Sequence, residues 1–160
     1  MDYLITDLAY LAGIIDGEGS VSIHLGLAKK KYPVYIAQVV VVNSDVGLLD
    51  WIYSRFGGMI HKKPTPKSGW ATKRQCYTWT LTGYALDRVL SLVSPYMIVK
   101  KQQVDIVIAF RKTFGPMHKG NKLPTDIAEL RKSYCDTVKR LNAPPAPSVP
   151  LPLVTPATTR

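Results

Sequence analysis

The run Leu11-Ala12-Gly13-Ile14-Ile15-Asp16-Gly17-Glu18-Gly19 constrains the fold of this chain more than any other segment, because an apolar helix ends there in carboxylates interleaved with glycines. Ala9, Gly13 and Gly17 recur every four residues, so one helix face carries almost no side chain and can lie directly against another backbone. Beside it, Leu8, Leu11, Ala12 and Ile15 follow the i, i+3, i+4, i+7 spacing of a buried stripe. Thr6 is the expected N-cap, with Asp7 in the first turn at the positive end of the helix dipole. Asp16 and Glu18 fall at the opposite, negative end, where the last carbonyls lack partners. A bound cation would relieve that repulsion. Hard oxygen donors of this kind suit Mg²⁺ or Ca²⁺.

The charge points to a polyanionic partner. The 160 residues carry 21 Lys and Arg against 11 Asp and Glu, a net charge of +10, and the distribution is more telling than the sum. No acid occurs between Gly19 and Val42 or between Gly57 and Leu86, yet Lys29, Lys30, Lys31, Lys62, Lys63, Lys67, Lys73 and Arg74 fall inside those stretches. A mixed, solvated surface would intersperse both signs, so a nucleic-acid face is favoured. Cys76 and Cys135 are too few for a secreted disulfide scaffold and lack metal-ligand spacing. They read as reduced thiols of an intracellular protein, and no apolar run is long enough to span a bilayer.

Along the chain, residues 20–27 alternate Val21, Ile23 and Leu25 against Ser22, His24 and Gly26, the pattern of a half-buried strand. A lysine-rich tip leads to a returning strand over 34–42. Asn43-Ser44-Asp45 caps a helix through Phe56, with Leu48, Leu49, Ile52 and Phe56 apolar and Gly57-Gly58 as its stop. A second hairpin is expected from strands at 59–63 and 72–81. Helices are expected over 83–93, 100–110 and 126–141, separated by the breakers at Pro95, Gly115-Pro116 and Gly120 to Pro124. The order gives an α+β domain over 1–142 with helices on one side of an antiparallel sheet. Residues 143–160 are expected to be a proline-rich tail, disordered or polyproline II.

The opening run, read as L-A-G-I-I-D-G-E-G and followed by the strand-like V-S-I, resembles the signature of the LAGLIDADG homing endonucleases, with Glu in place of the second Asp. The resemblance covers roughly residues 7–110 and implies an α-β-β-α-β-β-α core. It implies that the first helix joins two pseudo-identical halves, with Ala9, Leu11, Ala12, Gly13 and Asp16 at the contact. Its final acid would bind a divalent metal at the DNA backbone, which assigns Mg²⁺, with Ca²⁺ or Mn²⁺ as substitutes for binding, to Glu18 and the carbonyl of Gly17. Asp16 takes a mainly structural role. Lys100, in V-K-K-Q-Q, matches a basic residue that approaches the active site, and Asn43 matches a polar position that holds metal-associated water. Lys101 is adjacent to Lys100 and competes for that assignment.

Only one such motif is present, so a symmetric site requires two chains and a homodimer is expected. A nine-residue strand spans roughly 30 Å, about nine base pairs, so two subunits would cover about 18–20 base pairs of a pseudo-palindromic duplex. A two-stranded ribbon fits the major groove. Strand parity nominates Ser22, His24, Gln38, His61, Lys63, Arg74, Cys76 and Thr78 for the DNA face, with loop-borne Lys30 on phosphate. Tyr77 and Trp79 have the opposite parity and read as core. The expected activity is site-specific hydrolysis of double-stranded DNA by an intron- or intein-encoded enzyme in the cytoplasm of a prokaryote or in an organelle. An RNA-splicing maturase, a non-cleaving DNA-binding protein and a transcription regulator of the same fold are the alternatives.

Overall fold

In the computed structural model, which describes residues 3–26, 34–64, 75–115 and 124–144, the first helix, α1, spans Ile5–Glu18. Its cap differs from the expectation. Leu4 occupies the N-cap position in extended conformation and no side chain caps the helix, while Thr6 lies inside the first turn. Leu4 takes the position because its carbonyl already accepts the N–H of Leu8 at 3.1 Å. Leu8, Leu11, Ala12 and Ile15 form the buried stripe. Each fully buried Leu or Ile stabilises the fold by about 1.5–3 kcal/mol.

The chain passes from α1 into the first strand, β1 (Gly19–Leu25), with no intervening loop. Gly19 makes this possible: a Cβ there would lie 2.7 Å from the Cα and 2.8 Å from the O of Ile15. The second strand, β2 (Tyr35–Asn43), pairs with β1 in antiparallel register, Ser22 opposite Gln38. Asp45 then caps α2 (Val46–Phe56) by accepting the N–H of Leu48 at 3.1 Å, as the Asn-Ser-Asp signal anticipates. The helix stops at Gly57 and Gly58, both at positive φ. That turn leads to β3 (Met59–Lys62), and β4 (Tyr77–Thr82) completes an antiparallel sheet ordered β1-β2-β4-β3. The indole N–H of Trp79 donates to the Gly57 carbonyl at 2.7 Å, locking turn to sheet.

One sheet face is the core. Val21 and Ile23, Ala37, Val39 and Val41, and Trp79 and Leu81 are buried there against α1, α2, α3 (Gly83–Val93) and α4 (Lys101–Lys112). Between the last two helices lies a 3-10 turn over Ser94–Tyr96. The last helix, α5 (Thr125–Leu141), lies along β1, an edge strand whose outward carbonyls would otherwise invite pairing with another chain. The Cys135 thiol donates to the Ile23 carbonyl at 3.1 Å and the Asn142 amide donates to the Val21 carbonyl at 2.9 Å. Arg131 anchors the same helix. It is buried over the Phe114 ring, 3.7 Å from the centroid, and donates to the Thr113 hydroxyl and carbonyl. The α-β-β-α-β-β-α order and the α+β layering are as expected from the sequence. Among the described residues, no helix is long and apolar enough to cross a membrane.

Candidate active site and nucleic-acid interface

The C-terminal end of α1 is held by Asp16. Its Oδ2 accepts the backbone N–H groups of Ile98 and Val99 at 2.7 and 3.1 Å, and its Oδ1 accepts that of Lys100 at 2.9 Å. Burial pushes the Asp16 carboxyl up, but the N–H donors of Ile98, Lys100 and Val99 and the nearby Lys100 charge outweigh it and hold the group below the usual carboxylate range. The bracket fixes the segment before α4, and the Lys100 ammonium donates back to the Asp16 carbonyl. Lys101 is engaged elsewhere, with Asp105 at 2.7 Å and the Ser94 hydroxyl at 3.0 Å. Of the two neighbouring lysines, Lys100 is therefore the one at the end of α1.

Glu18, two residues beyond Asp16, is exposed and accepts a hydrogen bond from the Asn43 side-chain amide. Asn43 is itself oriented, because its carbonyl oxygen accepts the Asp45 N–H at 2.8 Å. The cap of α2 thus aims Asn43, and Asn43 aims Glu18. Gly17 is exposed in the same turn. Among the described residues, no single-chain cluster of three or more His, Cys, Asp or Glu side chains could enclose a metal. The donors at this helix end are one carboxylate and peptide carbonyls, hard oxygens of the kind Mg²⁺ takes while keeping waters and substrate phosphates as its remaining ligands. One chain supplies a partial set of that type.

The sheet face opposite the helices is open. Ser22, His24, Gln38, Thr78 and His61 all lie on it, with rows running Ser22–Gln38–Thr82 and Val42–Thr78–His61. Lys63 and Cys76 extend it past the strand ends, joined by the Lys63 N–H to the Cys76 carbonyl at 2.9 Å. Among the described residues, His24 Nδ1 is enclosed without a hydrogen-bond partner. Trp79 is buried and Tyr77 packs against the core, in accord with their opposite parity. Lys30 and Arg74 lie outside the described residues. Ile36, Val40, Val42 and Thr80 share this face as well, and the same period-two rule places them there.

The outward face of α1 carries Ala9, Tyr10, Gly13 and Gly17, with Ile14, Glu18 and Leu48 completing a shallow groove. Leu11 and Ala12, expected at a contact with a second chain, are instead 0 % exposed within the core of this one. The helical stripe turns them toward the sheet, so they offer no surface to a partner. Asp16 likewise spends its carboxylate on the segment 98–100. A Cβ added at Gly13 or Gly17 would meet nothing within 4 Å. Glycine costs a helix about 1 kcal/mol relative to alanine, and nothing in the packing of the described residues requires it at either position. Ile98 and Val99, whose N–H groups Asp16 holds, are 85 % and 70 % exposed.

No protein-family model matches the sequence, and no curated protein matches it. Solved structures do. The chain is similar to the homing endonuclease I-CvuI, solved with uncleaved target DNA in the presence of Mg, at TM-score 0.71 and 17 % identity over 90 % of this chain and 87 % of that one. The archaeal intron-encoded homing endonuclease I-Vdi141I, complexed with DNA, gives TM-score 0.68 at 16 % identity over 86 % and 85 %. The LAGLIDADG homing endonuclease I-GzeII, with its DNA target, gives 0.58 at 16 % identity, but this chain spans only 43 % of its length. The chain has the LAGLIDADG homing endonuclease fold.

Proposed function

We propose that two copies of this chain pair through the outward face of α1 and act as a site-specific, divalent-metal-dependent DNA endonuclease that cuts both strands of a pseudo-palindromic target of about 18–20 base pairs. The observation that carries the reading is the convergence of Glu18, Asn43 and Lys100 at one end of α1, beside an open sheet face. The open space over Gly13 and Gly17 supports the pairing, since a side-chain-free helix face lets a second backbone come close. The chain also matches nearly the whole of I-CvuI but less than half of I-GzeII, as a single half-site unit would.

In this arrangement Glu18, with the Gly17 carbonyl beside it, would hold Mg²⁺, which would supply charge withdrawal from the scissile phosphate and stabilisation of the departing oxygen. Asn43 keeps the Glu18 carboxylate aimed and can orient water beside it. Lys100, set down by the Asp16 bracket, brings an ammonium to the phosphate or orients the attacking water. The basic stretches hold the duplex through phosphate contacts, while the side chains of the open sheet face lie in the major groove. The gene's association with an intron or intein belongs to the same reading. Its test is incubation of the purified chain with DNA spanning the gene's insertion site, with Mg²⁺ or with chelator. A discrete double-strand break only with metal supports the proposal. Specific binding without cleavage in any divalent metal would leave a non-cleaving DNA-binding protein or a maturase instead.

A further inference from the structure

The centre of the open sheet face is aliphatic, although it looks away from the core. Val40 sits between Ser20 and Thr80 in the sheet, and Val42 pairs with Thr78. Both valines are half-buried while their neighbours Val39 and Val41 are fully buried on the other side. Ser and Thr keep the flanks of these valines shallow, so a duplex can come close. Among the described residues of the face, the only permanently charged side chain is Lys63, and it lies past the end of β3. The bidentate cation contact that commonly reads guanine is therefore missing from the described central rows.

Resting on the DNA-binding reading above, we propose that Val40 and Val42 determine part of the target specificity by packing on thymine 5-methyl groups in the major groove. Thymine is the one base that presents an apolar group there, and aliphatic side chains are its natural partners. The two valines are separated by two residues along β2, roughly 6.6–6.8 Å. That equals about two base-pair steps. Each half-site is thus read for thymines two base pairs apart, with Val42 nearer the cleavage position, because β2 ends at Asn43 beside Glu18.

The experiment selects preferred duplexes for the full-length protein from a randomised library, then replaces each selected thymine in turn by deoxyuridine, which removes only the methyl group. Two positions per half-site, two base pairs apart, are expected to lose affinity about threefold to fourfold on this substitution, as befits one buried carbon. Val40→Ser and Val42→Ser remove both γ-methyl groups and should each abolish the uracil penalty at one of the two positions; thermal melting checks that both variants fold. A protein that selects a defined sequence but tolerates uracil at every position overturns the inference while leaving DNA recognition intact, and the valines would then serve only strand formation. Failure to select any sequence overturns the DNA-binding reading itself.

Discussion

Replacing Asp16 by Asn removes a charge from a side chain that, together with the Lys100 ammonium, ties α1 to the segment before α4. The carboxylate accepts three backbone N–H groups at 2.7, 2.9 and 3.1 Å. Hydrogen bonds to a charged group contribute about 1.5–3 kcal/mol each, against about 1 kcal/mol for neutral ones. Asn keeps one acceptor oxygen and turns an NH₂ toward the remaining donor, but water reaches this partly exposed site and recovers part of the loss. The net cost is about 2–3 kcal/mol, which lowers Tm by about 5–10 °C in a domain of this size. The sign of the pH dependence follows from the depressed carboxyl. Its contribution is complete above the unfolded-state value of about 3.9 and is lost as pH falls through the lower folded-state value. Wild type should therefore outlast Asp16→Asn by a constant margin from neutral pH down to about 5, and the margin should close below about pH 4. Paired thermal melts across that range measure it. Equal melting temperatures at neutral pH, or a margin that persists undiminished in acid, would refute the bracket as a source of stability.

Gly13→Ala should stabilise the isolated chain by about 0.5–1 kcal/mol in urea melts at low protein concentration, since its Cβ meets nothing within the chain. Gly13→Leu should sediment as a folded monomer; a dimer of normal activity would place the contact elsewhere. Glu18→Gln is expected to abolish cleavage while specific DNA binding, measured by gel shift, stays within about tenfold, because size is kept and only a metal ligand is lost. Asn142→Ala leaves the Val21 carbonyl of the β1 edge without its donor and should cost about 1 kcal/mol, read as a lower urea midpoint with unchanged slope.

Period and punctuation made much of this fold legible. The i, i+3, i+4, i+7 stripe of α1, the alternation of β1 and β2, the Asp45 cap and the Gly57-Gly58 stop are local signals that the structure realises, except that Leu25, expected on the core face, is exposed where β1 ends. What local pattern could not carry was contact across long sequence separations. Nothing in the sequence near Asp16 indicates that its carboxylate meets Ile98 to Lys100, nor that Cys135 and Asn142 close the edge of β1. The choice between Lys100 and Lys101 was open in the sequence for the same reason: it depends on Ser94 and Asp105 occupying the second lysine. Thr6 does not cap because capping preference is a weak local term, and the helix begins two residues earlier than its side chain would favour. Leu11 and Ala12 were assigned to the wrong side of α1 because a resemblance names a helix as a contact without resolving its faces; the hydrophobic stripe already placed both in the core.

The pairing of two half-sites into one cutting unit is tested most directly with mixed dimers. Chains carrying different affinity tags, one intact and one Lys100→Met, are co-expressed, the doubly tagged species is isolated, and supercoiled plasmid bearing the target is added with Mg²⁺. A homodimeric enzyme in which each chain acts on one strand converts the plasmid to the nicked circle and stops there, while the intact dimer yields linear DNA. Linear product from the mixed dimer at the intact rate, or cutting by a chain that sediments as a monomer, would contradict the account.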